Sequence, residues 1–129
     1  MRVLLVTETF WPVIGGAEVL IAKLLPSLQE RGFEFVVLTQ PNAHRGGERP
    51  TYNGIPIVER MLAWDYWHGA HELAFETHRR VAALKREFRP DLVHLWLVNA
   101  GSVVHWQTMS AHPAPTLLTP HLAGTDICC

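Results

Sequence analysis

The chain alternates between two hydrophobic periods. Residues 2–7 form a short, continuous apolar run, the pattern of a strand buried on both faces. Over residues 16–31 the apolar positions change to helical spacing, with Ala17, Leu20, Ile21, Leu24 and Leu28 on one face. Pro26 interrupts that pattern and should remove a hydrogen bond and bend the helix, and Gly32 should end it. Residues 33–39 return to a strand pattern rich in Phe, Val and Leu. Residues 40–54, with Pro41, Gly46, Gly47, Pro50, Asn53 and Gly54, read as an exposed polar loop. A third strand is expected over 55–60. A helix follows over 71–88, with Leu73, Val81, Leu84 and Phe88 on one face and a Glu76–Arg80 pair on the other. Pro90-Asp91 opens a fourth strand over 92–97, residues 100–111 read as helix, and a fifth strand spans 116–119 after Pro113 and Pro115.

Strands alternating with helices imply an α/β fold, a Rossmann-like parallel sheet with right-handed crossovers and helices on both faces. Ligands of such sheets sit at the carboxyl ends of the strands. Three loops meet that condition, residues 8–16, 96–101 and 120–126. The first ends in Gly15-Gly16, at the start of the first helix. Residues without side chains let a ligand reach the backbone, and the helix points unpaired N–H groups and its positive dipole end at that spot. A phosphate is the expected occupant. Two glycines can equally serve only to make a turn, which is the commoner use of an isolated pair.

Composition narrows the field. The 129 residues suit one domain, and 48% hydrophobic content suffices for a core. A net charge of −1 argues against a nucleic-acid partner or an anionic membrane surface. No stretch is long enough to span a membrane, and Val3–Val6 is too short for a signal-peptide core, so a cytoplasmic location is expected. Cys128 and Cys129 are adjacent and cannot build a disulfide framework. The sequence holds no Gly-x-Gly-x-x-Gly, Walker A or Gly-x-Ser-x-Gly pattern, which counts against a nicotinamide dehydrogenase, a nucleotide hydrolase and a serine hydrolase. His68, His71 and His78 lack the spacing and the further ligands of a metal site and read as surface or hinge residues. The aromatic run 61–67 reads as a lid over the core or as a lining for an acceptor.

Four segments carry a resemblance. They are Leu4-Leu5-Val6-Thr7-Glu8 with Pro12-Val13-Ile14-Gly15-Gly16-Ala17-Glu18; Leu28-Gln29-Glu30-Arg31-Gly32-Phe33 through Thr39; Arg89-Pro90-Asp91-Leu92-Val93-His94; and Thr119-Pro120-His121 with Gly124-Thr125-Asp126. In order and spacing they resemble the N-terminal domain of a family 4 glycosyltransferase, one half of the two-domain GT-B architecture. Two details differ: Leu122 and Ala123 separate His121 from Gly124, and Trp96 stands where a second histidine is common.

The resemblance implies that residues 1–129 are the acceptor-side domain of a retaining, hexosyltransferase-like enzyme that moves a glycosyl unit from a nucleotide-sugar to an acceptor hydroxyl. It implies that Gly15 and Gly16 face the donor diphosphate, that the catalytic histidine His121 approaches the transferred sugar, and that Thr125 and Asp126 lie near the acceptor. Glu18 reads as a first-turn carboxylate stabilised by the helix dipole, or as an acceptor contact. No metal or other cofactor is implied, and peripheral membrane association follows only for a lipid acceptor. The donor-binding C-terminal domain is missing from this sequence, so the chain alone is expected to be inert. The alternative from another class is a non-catalytic, flavodoxin-like module that uses the same glycine loop for a phosphate ligand.

Overall fold

A computed structural model describes residues 1–13, 15–41, 51–60, 71–96 and 100–120. The strands are β1 (Arg2–Val6), β2 (Glu34–Thr39), β3 (Thr51–Tyr52), β4 (Ile55–Glu59), β5 (Leu92–Leu95) and β6 (Thr116–Leu118). The helices are α1 (Gly16–Glu30), α2 (His71–Phe88) and α3 (Ala100–Gln107), the last followed by a 3-10 turn at Met109–Ala111.

The sheet order is β3-β4-β2-β1-β5-β6. Every neighbouring pair is parallel except β3 with β4. Without β3 this is a doubly wound Rossmann-like order, and its direction reverses between β1 and β5. Period-2 alternation places Val3 and Leu5 on one face of β1, and Leu4 and Val6 on the other. The first face packs under Ile21 and Leu25 of α1. The second packs under Val81 of α2 and Val104 of α3. Helices therefore lie on both faces, as expected from the alternating pattern.

Several local expectations are corrected. The loop over 40–54 contains β3, closed onto β4 by Asn53-Gly54 with both φ values positive (48° and 77°), as a two-residue hairpin turn requires. The purely parallel sheet therefore gains one antiparallel edge strand. In α1, Ile21 and Leu25 are buried, whereas Leu20 and Leu24 flank the contact stripe and stay exposed. Helix α3 ends at Gln107.

Pro26 does not break α1, which runs unbroken from Gly16 to Glu30. Proline leaves the carbonyl four residues earlier, that of Ala22, without its helical donor. The Tyr52 hydroxyl of β3 donates to that oxygen at 3.2 Å. The helix then ends in a Schellman arrangement. The amide of Phe33 donates to Leu28 and that of Gly32, at φ 88°, donates to Gln29.

Candidate functional site at the carboxyl edge of the sheet

The chain leaves β1 at the reversal point of the sheet and is held there by polar side chains. The Thr7 hydroxyl donates to the carbonyl of Thr9 at 2.9 Å, and the Thr39 hydroxyl donates to the carbonyl of Glu8 at 3.0 Å. Phe10 is fully buried, its ring edge-on to Tyr52 at 5.5 Å, and the Trp11 ring lies tilted against Tyr52 at 5.8 Å. The residue that repairs the proline helix thus also anchors the loop leading to Gly15.

Gly15 caps α1 in an extended conformation (φ −140°, ψ 171°) with no side-chain hydrogen bond to the helix end. Neither Gly15 nor Gly16 has a left-handed φ. A Cβ on Gly15 would collide only with the flexible carboxylate of Glu18. A Cβ on Gly16 would meet no atom of the described residues within 4 Å. The backbone therefore does not require glycine at 16, and no described side chain stands over the first-turn amides there.

The Thr9 hydroxyl donates to Glu18, which lies against Gly15. This contact holds the carboxylate beside Gly15 and away from the Gly16 side. The indole of Trp96, buried at the end of β5, donates to the carbonyl of Ala17 at 3.2 Å. It ties the first turn of α1 to the neighbouring strand across the crevice. The His94 ring lies edge-on to Trp96 at 5.4 Å and shares a 2.8 Å hydrogen bond with the hydroxyl of Thr119, just past β6. The carboxyl ends of β1, β5 and β6 are thereby joined by side chains into one edge.

Of the residues singled out in the sequence, Gly15 and Gly16 sit at this carboxyl edge, at the start of α1. His121, Thr125 and Asp126 lie outside the described residues, as do residues 42–50 of the polar loop, the 61–67 aromatic run, His68, Cys128 and Cys129. His78 pairs with Gln107 of α3 through its Nε2 atom, a contact between helices. Sequence reading missed Trp96 as the clamp on α1 and Thr9 as the partner of Glu18. Trp96 acts through a pairing 79 positions apart and Thr9 through one nine positions apart, across the loop, and only the Thr-x-Thr at the end of β1 was a visible signal.

Comparison with known proteins now bears on this geometry. Residues 14–125 match the family model described as Glycosyltransferase Family 4. The chain belongs to that family. Sucrose-phosphate synthase from Thermosynechococcus elongatus shares the fold, with a TM-score of 0.69 and 15% identity over 95% of this chain. The chain spans 33% of that protein. A search of curated proteins returns no match. Family and fold agree with the α/β, GT-B-type reading of the four sequence segments. No helix among the described residues is long and apolar enough to cross a membrane.

Proposed function

We propose that this chain is the acceptor-side half of a retaining, nucleotide-sugar-dependent glycosyltransferase, with the donor nucleotide held by a second domain C-terminal to it. The observation that carries the reading is Gly16. Its φ is ordinary and no described atom crowds a Cβ there, so neither strain nor packing among the described residues calls for glycine, which supports a ligand approaching the first-turn amides.

In the reaction, negative charge builds on the leaving diphosphate. First-turn amides and the dipole of α1, aimed at that charge and held in place by Trp96, supply stabilisation that needs no rearrangement during transfer. Thr9 keeps the Glu18 carboxylate off the Gly16 side, where it would repel the phosphates. His121 lies two residues after Thr119 and is the candidate for the hydrogen bond to the transferred sugar; Thr125 and Asp126 are candidates for the acceptor side. The scheme uses no metal, and its setting is the cytoplasm.

The test is transfer from a panel of labelled sugar nucleotides by the full-length gene product, with the anomeric configuration of the product read by NMR. Retained configuration and no turnover by residues 1–129 alone are expected. Turnover by the isolated chain, or an inverted product, refutes the corresponding part of the proposal.

A further inference from the structure

A groove of about 650 Å³ lies on the opposite face of the sheet, between α2 and the β4–β2 edge. Its walls are apolar, formed by Val36, Pro56, Val58, Leu84 and Phe88, with Ala83 as a small residue beside them. Arg60 and Arg80 also line it, and Glu87 adds a carboxylate near the C-terminus of α2. Arg60 follows β4, so it stands at the same carboxyl edge of the sheet as Gly16.

Arg60 is the unusual member. Its Nη1 atom donates to the carbonyl of Glu59, and its Nε atom is buried with no hydrogen-bond partner among the described residues. No other described side-chain nitrogen or oxygen is in that state. A buried, unpaired donor is costly, and its presence beside a cavity points to an absent acceptor. Of the charged side chains that line the groove, Arg60 and Arg80 stand against Glu87, and Arg80 also pairs with Glu76. Burial and the charge of Arg80 both work against the charged form of Arg60, a conflict that an anion would relieve.

We propose that this groove binds a single-chain amphiphile with an oxyanion head, the head on Arg60 and Arg80 and the alkyl chain along Val36, Val58, Leu84 and Phe88. The guanidinium fork suits a phosphate-type oxyanion, and the apolar walls lie beyond it along α2. The inference rests on the groove alone, so its failure leaves the glycosyl-transfer reading untouched.

The probe is dodecyl phosphate, kept below its critical micelle concentration and titrated calorimetrically into residues 1–129. Saturable, equimolar binding is expected. Arg60→Gln, which removes the charge, and Ala83→Trp, which fills the groove, should each weaken it by about tenfold or more. Inorganic phosphate and dodecyl maltoside should bind more weakly by a similar factor. No binding, equal binding of the neutral amphiphile, equal binding of bare phosphate, or an unaffected Arg60→Gln variant overturns the proposal. So does a dimer in sedimentation that Ala83→Trp dissociates, because a second copy would then fill the groove. Circular dichroism controls for folding, and Arg60→Gln decides the matter if Ala83→Trp does not fold.

Discussion

The two faces of the sheet treat polar groups in opposite ways. On the α1 face the interior is apolar and aromatic, and the polar groups gather at the carboxyl edge, where Thr9, Glu18 and the helix end meet open space. On the α2–α3 face polar groups lie inside. Lys85 is fully buried and donates from Nζ to the carbonyl and to Nδ1 of His105, both at 2.9 Å. Accepting that bond leaves the ring proton on Nε2, 2.8 Å from the Thr116 hydroxyl. This chain ties α2, α3 and β6 together. On the first face the polar groups lie at the rim of the sheet; on the second, Lys85, His105 and Thr116 are spent on internal cohesion, and Arg60 and Arg80 stand apart from them at the groove.

The largest expected effect lies on the α1 face. In the full-length enzyme, Gly16→Val places a side chain in the space beside the amides. It should lower kcat/KM about a hundredfold or more, roughly 3 kcal/mol of transition-state stabilisation. The melting temperature should hold, because no described residue is within 4 Å of the new Cβ and the φ is not left-handed. A folded and fully active variant would reduce the loop to a turn. His121→Ala should also slow transfer, and if the two positions serve one cleft, as proposed, their effects need not add.

The opposite face should show itself through pH. Burial, then the charge of Lys85, pushes His105 from its ordinary 6.5 down to about 4. The unfolded chain therefore takes up this proton first as the pH falls. Stability is complete above pH 6.5 and is lost toward pH 4, by up to about 3 kcal/mol. Burial likewise pushes Lys85 from 10.5 down to about 8, so its contribution rises with pH between those values. Urea unfolding across pH 4 to 7 should show the acid slope in the native chain. His105→Gln can keep both hydrogen bonds and should flatten that slope; an unchanged slope would assign it elsewhere.

A smaller effect tests how the faces are joined to their loops. Tyr52→Phe should cost about 1 kcal/mol by leaving the Ala22 carbonyl without its donor. In a Pro26→Ala background the restored amide can serve that carbonyl, so the cost should shrink. A double-mutant cycle with no coupling would separate the tyrosine from the proline. Least of all, Gly15→Ala should change stability by only a few tenths of a kcal/mol. It displaces a flexible carboxylate, unlike the substitution one residue later. Thermal denaturation of the two single variants checks the contrast.

Much of this was readable in advance. The long helix over 71–88, the alternation of strands and helices, and Gly32 as a helix stop followed from local periodicity and backbone preference. The β3–β4 hairpin was also signalled, because Asn53-Gly54 is a strong two-residue turn, but the surrounding glycines and prolines hid it inside a polar loop. The exposure of Leu20 and Leu24 was not readable. Helical spacing shows which residues share a face, and the sheet beneath determines how wide a stripe is covered.

By itself the sequence determined the α/β class, the glycine loop at the first strand-to-helix junction and the family resemblance, because these rest on short-range order along the chain. Tertiary structure alone decided what those features meet. It brought Tyr52 to the carbonyl that Pro26 left open, Trp96 to the first turn of α1, Lys85 to His105, and Arg60 to the groove beside α2. Each of the three hydrogen-bonded pairings joins residues 20 or more positions apart. Hydrogen bonding and burial act on distance in space, which local pattern does not encode.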